Sequence, residues 1–572
     1  MRYSGRYAIL TAFLAGALIL KFNNIDQAYE EVEPFRGASI QTEIWNPLIA
    51  DSVNQKEISL LVDAKSYTSR DMNVFMDDNL NLMIPVKALR DSFDCSAHIY
   101  HGTELLVEKY ANEVTFPLNK DEVTVNSEKE EVSSGMRQID GEYYVPLETL
   151  SDSLGYTYSW NMEENSAVTA SGKSSDVTIV PASYDLRDKL RAPGVKDQGN
   201  HGTCWAFASL TALESSLLPE ESYDFSPDHM SIQNSFALNQ DYGGDYTMSL
   251  AYLLAWQGPV LEEDDPYGDD KSDDSLMPVK HVQEVQIIGS KDFQKIKEAV
   301  FKYGGVQTSI YSALKSSQSH SEFYNSKTKA YCYMGQEKPN HDVVIIGWDD
   351  NYSKDNFPVD LEGDGAFICQ NSWGDDFGDN GIFYVSYYDT NIGIHNVVYT
   401  GIEDVDNYDD IYQSDLCGWV GQLGFNSGHI FGANVFSAQK AEDISAAGFY
   451  ALGTDTEYRV YMVSDFADTA SLAERQRQPV AEGKFGSAGY YTVAFDTPVT
   501  VKEGERFAVV VELTTPDSVH PLAIEYAADE TTENVDLSDG EGYISVQGNS
   551  WENVESGQNC NLCIKAYGRN QQ

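Results

Sequence analysis

A helix-forming run that starts at Cys204 and is ended by Pro219 limits the possible folds more than any other part of the 572-residue sequence. Two apolar runs farther along the chain, residues 342–347 and 367–370, have the pattern of buried strands. Together these runs predict an α+β unit in which a thiol lies at a helix N-terminus. Free amide N–H groups and the helix dipole favour an anion at that place, so we expect a lowered pKa for the Cys204 thiol.

Three further side chains could act together with a thiolate at Cys204. His341 precedes the first apolar run and could serve as the base that later acts as an acid. Asn371 follows the second run and could hydrogen-bond the far imidazole nitrogen, while Trp373 could shield that bond from water. Gln198 stands six residues before Cys204 in a glycine-flanked turn, where its amide could donate to an oxyanion beside the Cys204 N–H.

In this order and spacing the motifs resemble the papain family of cysteine peptidases over residues 181–400. His341 follows Cys204 by 137 positions, within the roughly 130–150 expected for such a pair. Asn371 lies beyond that range because an acidic loop, residues 349–365, reads as an insertion between two strands. The resemblance implies that Cys204 is the nucleophile, His341 the general acid/base, Asn371 the residue that orients it and Gln198 the oxyanion-hole donor.

The same resemblance implies how a peptide substrate would be bound. Paired glycines in the family take up an extended peptide through their backbone, like an added strand, and glycine is needed where the ligand backbone comes close. A separate pocket receives the second residue before the scissile bond, and Asn340 and Ser309 would line it. The residues that the resemblance assigns to the cleft are Gly243, Gly244, Trp205, Trp373, Asn340 and Ser309.

The seven cysteines form an odd number, which in an exported chain indicates at least one free thiol. Cys560 and Cys563 have the spacing of a redox or zinc pair, and we interpret them as structural, with a local disulfide as one form of that role. The papain family often has a disulfide beside its nucleophile. His201 and the residues around Asp241 occupy those places, so we predict a cleft that is held by packing instead.

The N-terminal 21 residues have the pattern of a targeting segment. Arg2 and Arg6 precede an apolar run over residues 7–20, which Lys21 closes. This run is short for a membrane span, which needs roughly 20 residues. A cleaved signal peptide and a retained signal anchor both stay open, and either one predicts a secreted or cell-surface protein. Residues 22–54 are polar and acidic and read as a linker.

Residues 55–172 contain an internal repeat, in which residues 84–93 align with residues 145–154. Each copy predicts a short strand, a proline at the first helical turn (Pro85 and Pro146) and a helix. The module resembles the copper amine oxidase N-terminal-like domain of bacterial surface proteins. That resemblance implies no copper, and we interpret the module as a small α+β packing or spacer unit.

From residue 401 to residue 570 the pattern changes to short β-branched and aromatic runs, at 458–463, 490–495, 506–511 and 522–526. Turn residues bound these runs, which predicts an all-β sandwich. The segment resembles the lectin-like domain that follows peptidase domains in some bacterial proteins. This implies contact with a glycan or with the cell wall, and a packing or spacer role is the alternative.

The predicted fold class is therefore multidomain α+β. A papain-like two-lobe domain, with a helical lobe and a β-barrel-like lobe, is flanked by a small α+β repeat module and an all-β sandwich. With 38 basic and 90 acidic residues the formal net charge is −52, which excludes nucleic-acid binding by phosphate neutralisation.

The predicted function is an exported cysteine endopeptidase that acts on polypeptides and needs no cofactor or catalytic metal. Calcium binding by Asp360, Glu362 and Asp364 in the acidic loop is left open. The alternatives are a surface adhesion or carbohydrate-binding protein, whose flanking domains dominate, and a papain-like acyltransferase. We also expect maturation by cleavage near Val180, where the family resemblance begins.

Overall fold

The computed structural model describes residues 46–47, 49–63, 65–172, 180–269, 271–314, 320–538 and 540–571. The predicted targeting segment, residues 1–21, lies outside these ranges. Across the ranges that are described, no helix combines the length and the apolar character that a membrane crossing requires.

The N-terminal module consists of three small sheets around one apolar core, with sheet orders β12-β13-β1-β2, β10-β11-β4-β3 and β5-β6-β7-β8-β9. Its elements are β1 (Ser59–Val62), β2 (Lys65–Thr68), α1 (Ser69–Met72), β3 (Phe75–Met76), β4 (Leu82–Pro85), α2 (Leu89–Ser92), β5 (Ser96–Tyr100), β6 (Glu104–Lys109), β7 (Asn112–Pro117), β8 (Glu122–Val125), β9 (Glu128–Glu131), β10 (Arg137–Ile139), β11 (Glu142–Pro146), α3 (Leu147–Leu154), β12 (Thr157–Asn161) and β13 (Ser166–Ala170).

The predicted repeat is visible as two strand–proline–helix units in this module. Strand β4 leads through Pro85 and a 3₁₀ turn into α2, and β11 leads through Pro146 into α3. The two repeat strands pair with each other, with Val145 opposite Ile84. The repeat therefore builds a common sheet, so that the two copies form one unit.

The expected linker ends earlier than its composition suggests. Residues 46–47 and 49–54 are helical, and Ala50 and Val53 are buried in the module's core. The Asn54 side chain bonds both backbone polar groups of Met76. The linker interpretation is wrong for these residues, because two buried apolar side chains outweigh the polar composition around them.

The central segment packs helices against a long sheet. The helix Cys204–Leu217 packs on the strands His341–Asp349 and Asn396–Glu403 and on the two helices that follow it, and almost every residue of the strand His341–Asp349 is buried. The elements are β14 (Ser183–Asp185), α4 (Cys204–Leu217), α5 (Pro227–Ile232), α6 (Tyr246–Leu254), β15 (His281–Ile288), α7 (Phe293–Lys302), β16 (Val306–Ile310), β17 (Tyr324–Asn325), β18 (Ala330–Tyr331), β19 (His341–Asp349), β20 (Ala366–Gln370), β21 (Ile382–Ser386) and β22 (Asn396–Glu403).

The C-terminal segment is the predicted sandwich. One layer has the order β29-β26-β35-β23, the other has the order β28-β27-β30-β25-β32-β33, and a three-stranded sheet β24-β31-β34 completes it. Its elements are β23 (Asp410–Tyr412), β24 (Gly421–Leu423), β25 (His429–Ser437), β26 (Glu442–Ala451), β27 (Thr456–Val463), β28 (Gln478–Phe485), β29 (Ala488–Val501), β30 (Arg506–Thr514), β31 (Leu522–Glu525), β32 (Gly542–Ser545), β33 (Glu552–Asn553), α8 (Val554–Gln558), β34 (Asn561–Leu562) and β35 (Ile564–Asn570).

The central and C-terminal segments share one continuous sheet. Strand β15 pairs with β22 on one side and with β29 on the other, and Glu284 lies opposite Tyr491 in the second pair. Thr492 donates to the side-chain oxygen of Gln283 at 2.6 Å across the same junction. Backbone pairing of this kind fixes the sandwich rigidly to the central sheet.

The N-terminal module docks against the end of α4 that is remote from Cys204. Glu220, just beyond that helix, accepts hydrogen bonds from Arg90 and from the Ile99 N–H and contacts the His98 imidazole at 3.2 Å. Lys302 at the end of α7 donates to Asp94 at 2.8 Å. Because α4 is 14 residues long, these contacts lie about 20 Å along the helix from its N-terminus.

Candidate active site

Cys204 is the first residue of α4, as its position before the helix-forming run predicts. The preceding Thr203 does not cap the helix with its side chain, because its hydroxyl bonds the Tyr267 hydroxyl at 2.7 Å. The backbone N–H groups of Cys204, Trp205 and Asp342 instead face the thiol closely enough to lower its pKa. The helix N-terminus is therefore left open toward the thiol, which is the arrangement that stabilises a sulfur anion.

Burial nevertheless raises the pKa of the Cys204 thiol to about 12, and the charge of Asp342 acts in the same direction. The three backbone N–H groups lower the pKa but do not offset this burial. The expectation of a lowered thiol pKa is thus wrong for the substrate-free site, although the effect of the helix N-terminus has the expected sign. A buried anion needs a nearby cation as well as amide dipoles.

His341 lies where such a cation can form. It begins β19, and the backbone N–H of its neighbour Asp342 lies close enough to the Cys204 thiol to lower the thiol pKa. The imidazole Nε2 is 2.8 Å from the Asn371 Oδ1. Since that oxygen can only accept, Nε2 carries the proton and Nδ1 is left as the acceptor. Burial lowers the pKa of His341 to about 4, while the Asn371 bond raises it.

Asn371 and Trp373 hold the imidazole from the side away from solvent. Asn371 follows strand β20 and is buried, and its Oδ1 also accepts the Ser372 N–H at 2.8 Å. The Trp373 ring stacks on the His341 ring, with 4.8 Å between centroids. These contacts restrict the orientation of the ring.

Gln198 lies in the turn before α4, and both ends of its amide are engaged. Its Oε1 accepts from the Ser372 hydroxyl at 2.6 Å, and its Nε2 donates to the His201 carbonyl at 2.9 Å. Its backbone N–H donates to the Ser372 carbonyl as well. The amide group carries two N–H donors, so one of them is left for an oxyanion while the other fixes the group.

The paired glycines lie against the loop that carries the nucleophile. A Cβ on Gly244 would come within 2.7 Å of the Trp205 indole, and Gly243 has a φ of +80°. A Cβ on Gly202 would come within 2.6 Å of the Gly243 backbone nitrogen. A side chain at Gly202 or Gly244 would collide with its neighbours, and the positive φ of Gly243 disfavours any residue other than glycine there.

Two assigned cleft residues have roles that differ from the expectation. The Trp205 indole is 2% exposed, so it supports Gly244 from below and does not line the cleft. The Asn340 side chain is tied to the backbone of Ser312, through a 2.7 Å bond from the Ser312 N–H and a 3.2 Å bond to its carbonyl. Ser309 is buried and donates to Asp342.

A hydrogen bond joins the two places where the family often has a disulfide. His201 Nδ1 lies 3.0 Å from the Asp241 carboxylate.

All seven cysteines are free thiols, and six of them are buried. The local disulfide that we left open for Cys560 and Cys563 is therefore not formed, and Cys563 donates to the Gly418 carbonyl instead.

Asp342 is a residue of the candidate site that the sequence reasoning did not single out. Its side chain accepts from Ser309 at 2.7 Å and from Gln307 at 2.9 Å, and burial raises its pKa to about 6. The sequence did contain a signal for this residue, because an acid interrupts a strand that is otherwise apolar.

The acidic loop that we considered for calcium holds no metal-binding cluster. Within the described part of the chain, no three His, Cys, Asp or Glu side chains are grouped so that they could hold a metal ion.

Comparison with known proteins gives a family match for each segment. Residues 180–402 match the papain family cysteine protease model, residues 54–169 the copper amine oxidase N-terminal domain, and residues 411–568 the lectin like domain. Among curated proteins, mouse cathepsin K is 27% identical over 209 residues, which is 35% of this chain and 58% of the relative. Mouse pro-cathepsin H is 28% identical over 239 residues, 41% of this chain and 68% of the relative.

Two solved structures of Cwp84 are similar over a larger share of the chain. One contains the cysteine protease and lectin-like domains of Cwp84, a surface layer associated protein of Clostridium difficile. It is 26% identical, covers 68% of this chain and 89% of its own, and has a TM-score of 0.60. The other, of clostridial Cwp84 after propeptide cleavage, is also 26% identical over 68% of this chain, covers 99% of its own and has a TM-score of 0.61.

Proposed function

Because residues 180–402 form a papain family cysteine protease domain joined to a lectin-like domain, we propose that the protein is a cysteine endopeptidase that cleaves polypeptides through a Cys204 thioester. The observation that carries this proposal is the buried His341–Asn371 pair, together with a thiol at the first residue of α4 that faces the backbone of Asp342, the residue after His341. This chain spans 58% of the length of mouse cathepsin K, so the proposed activity rests on the residues of this chain.

In the proposed acylation step, the proton of the Cys204 thiol passes to His341 Nδ1 as the sulfur attacks the scissile carbonyl carbon. A thiolate and an imidazolium that form together attract each other, which offsets part of the burial that disfavours each charge alone. The oxyanion accepts from the free Gln198 N–H and from the Cys204 backbone N–H. The C–N bond then breaks, and the imidazolium gives its proton to the leaving amine.

Deacylation reverses these roles. His341 takes a proton from a water molecule, the resulting hydroxide attacks the thioester carbonyl, and the C–S bond breaks. The imidazolium then returns the proton to the sulfur. Throughout both steps the Asn371 Oδ1 accepts a hydrogen bond from the Nε2–H group, so the ring neither rotates nor changes tautomer.

Replacement of Cys204 by alanine tests the proposal. We expect complete loss of peptide hydrolysis and of covalent labelling by a thiol-directed epoxide. Cys95→Ala is the matched control, because Cys95 is a buried thiol of the N-terminal module and should leave both readouts unchanged. Turnover that persists in Cys204→Ala would refute the proposal. Product analysis with an added amine separates hydrolysis from acyl transfer.

We further propose that the protein acts at the cell surface, with the sandwich in contact with a glycan. The lectin-like match and the similarity to a surface layer associated protein support this proposal. On the sandwich, Tyr458 lines a surface cavity together with Arg459, Glu482 and Lys484, and an aromatic ring beside polar groups is a lining that suits a sugar.

The glycan proposal is best tested on the full chain with Cys204→Ala, because removal of the central segment would expose the β29 edge that pairs with β15. A glycan array with this inactive protein should give saturable binding that Tyr458→Ala weakens. Absence of binding to every glycan would count against it.

A further inference from the structure

The Tyr267 hydroxyl connects the two parts of the chain that carry the proposed oxyanion donors. It donates to the Gln198 backbone carbonyl at 2.9 Å and lies 2.7 Å from the Thr203 hydroxyl. Because a carbonyl oxygen only accepts, the Tyr267 proton goes to Gln198, and the Thr203 hydroxyl donates to the Tyr267 oxygen. One phenolic oxygen thus joins Gln198 to the residue that precedes Cys204.

Gln198 is held from two sides, and Tyr267 provides one of them. On the first side, the Gln198 N–H donates to the Ser372 carbonyl at 2.8 Å, and its Oε1 accepts from the Ser372 hydroxyl at 2.6 Å. Both bonds tie Gln198 to the segment that carries Asn371. On the second side, the bond from Tyr267 ties the Gln198 carbonyl to the start of α4. The position of Gln198 relative to α4 therefore depends on Tyr267.

The loop between Gln198 and Cys204 does not fix their separation by itself. Gly199 and Gly202 lie in this loop, and Gly199 has a φ of +61°. Glycine restricts the backbone less than any other residue does. A link between the two ends of the loop therefore adds order that the loop sequence does not supply, and Tyr267 forms such a link.

Packing against α4 holds the Tyr267 ring in place. The ring lies edge-on to the Phe207 ring, with 4.7 Å between centroids and 84° between planes. Phe207 is buried and lies three residues after Cys204 in α4. The Tyr267 N–H donates to the Glu262 side chain at 2.9 Å, which anchors the backbone from the other direction. The hydroxyl is thus carried by a ring whose orientation is set by the same helix that carries the thiol.

We propose that Tyr267 is a positioning residue for the oxyanion hole. It holds the Gln198 carbonyl and the Thr203 hydroxyl at a fixed separation, so that the free Gln198 side-chain N–H and the Cys204 N–H meet at one oxygen. Donors placed in advance act most strongly where charge develops, so the effect belongs to the transition state more than to substrate binding. This proposal rests on the proposed peptidase activity and adds a residue that supports its oxyanion hole.

Tyr267→Phe tests the proposal, because it removes the hydroxyl and keeps the ring contact with Phe207. We expect kcat to fall about tenfold, which is less than the roughly hundredfold cost of losing a whole oxyanion donor, while KM changes by no more than about twofold. Alkylation of Cys204 by iodoacetamide forms no oxyanion and should keep its native rate. Tyr352→Phe is the matched control, since its hydroxyl also donates to a backbone carbonyl, that of Thr328 at 2.7 Å, and it should keep the native kcat.

A double variant shows whether Tyr267 acts through Gln198. Gln198→Ala alone should lower kcat about a hundredfold. Addition of Tyr267→Phe to Gln198→Ala should lower kcat no further, because the two changes remove the same donor. Native kcat in Tyr267→Phe, a tenfold loss that persists in the Gln198→Ala background, or an equal loss in the alkylation rate would overturn the proposal. Alkylation of Cys204 in a native protein that cleaves no peptide would instead count against the proposed activity, so the two failures are distinguishable.

Discussion

The most informative perturbation is the removal of the oxygen that orients His341. In Asn371→Ala, the imidazole Nε2–H loses its 2.8 Å acceptor and the Ser372 N–H loses the same oxygen. Both sites are buried, so no water replaces the lost partner at full value. An unsatisfied buried donor costs about 1–3 kcal/mol. If that cost is felt when the ring becomes charged, kcat falls about 5-fold to 150-fold, since each 1.36 kcal/mol is a factor of ten.

The assay is steady-state hydrolysis of one peptide across pH 5 to 9, with Asn371→Asp as the matched variant. The aspartate keeps an acceptor at the same place and adds a negative charge, which raises the pKa of His341. We therefore expect Asn371→Asp to retain most of kcat and to move the pH profile of the imidazole upward. Equal kcat in the native protein and in Asn371→Ala would refute the orienting role, whether or not KM changes.

Three further outcomes follow from separate parts of the molecule. Gly244→Ala should raise KM about tenfold with little change in kcat, because its Cβ would lie 2.7 Å from Trp205 and displace the peptide-binding edge; an unchanged KM would contradict that role. If a protease site is introduced between residues 172 and 180 and cut, the N-terminal module should co-elute with the remainder in gel filtration. Glu220→Gln should weaken that association at least tenfold, since it loses charged bonds worth about 1.5–3 kcal/mol. The native protein should melt at the same temperature with and without reductant, because all seven cysteines are free; a lower melting temperature in reductant would show a disulfide.

Local patterns in the sequence were sufficient to predict several of the elements. The helix after Cys204, the two strand–proline–helix units at Pro85 and Pro146, and the strands of the sandwich all have strong periodicity and clear end signals. Each of these features depends on neighbours within a few residues.

Features that join distant parts of the chain could not be predicted in the same way. The pairing of β15 with β29 links residues about two hundred positions apart, and any strand with an open edge could have supplied it. The docking of the N-terminal module depends on contacts such as Arg90 with Glu220 and Lys302 with Asp94, which have no pattern in the sequence. The helix at residues 49–54 was not predicted, because the sequence around it is polar.

The candidate site shows the same difference between local features, which were predicted, and features of the whole fold, which were not. Cys204, His341, Asn371 and Gln198 were predicted from their order and flanking motifs. In the structure His341 is bonded to Asn371, and Ser372 links Asn371 to Gln198. The thiol pKa was not predicted, because a helix N-terminus is a local feature whereas burial is a property of the whole fold. The acid at position 342 was passed over because the strand pattern around it indicated only burial.

The thioester is the species whose existence decides between this mechanism and any other. Rapid mixing with an activated ester of a peptide acid, followed by acid quench and intact-mass measurement, should show one added acyl group on the native protein. Peptide mapping should place it on Cys204, and neutral hydroxylamine should remove it. No acyl adduct in the native protein, or an adduct on another residue that persists in Cys204→Ala, would contradict the mechanism.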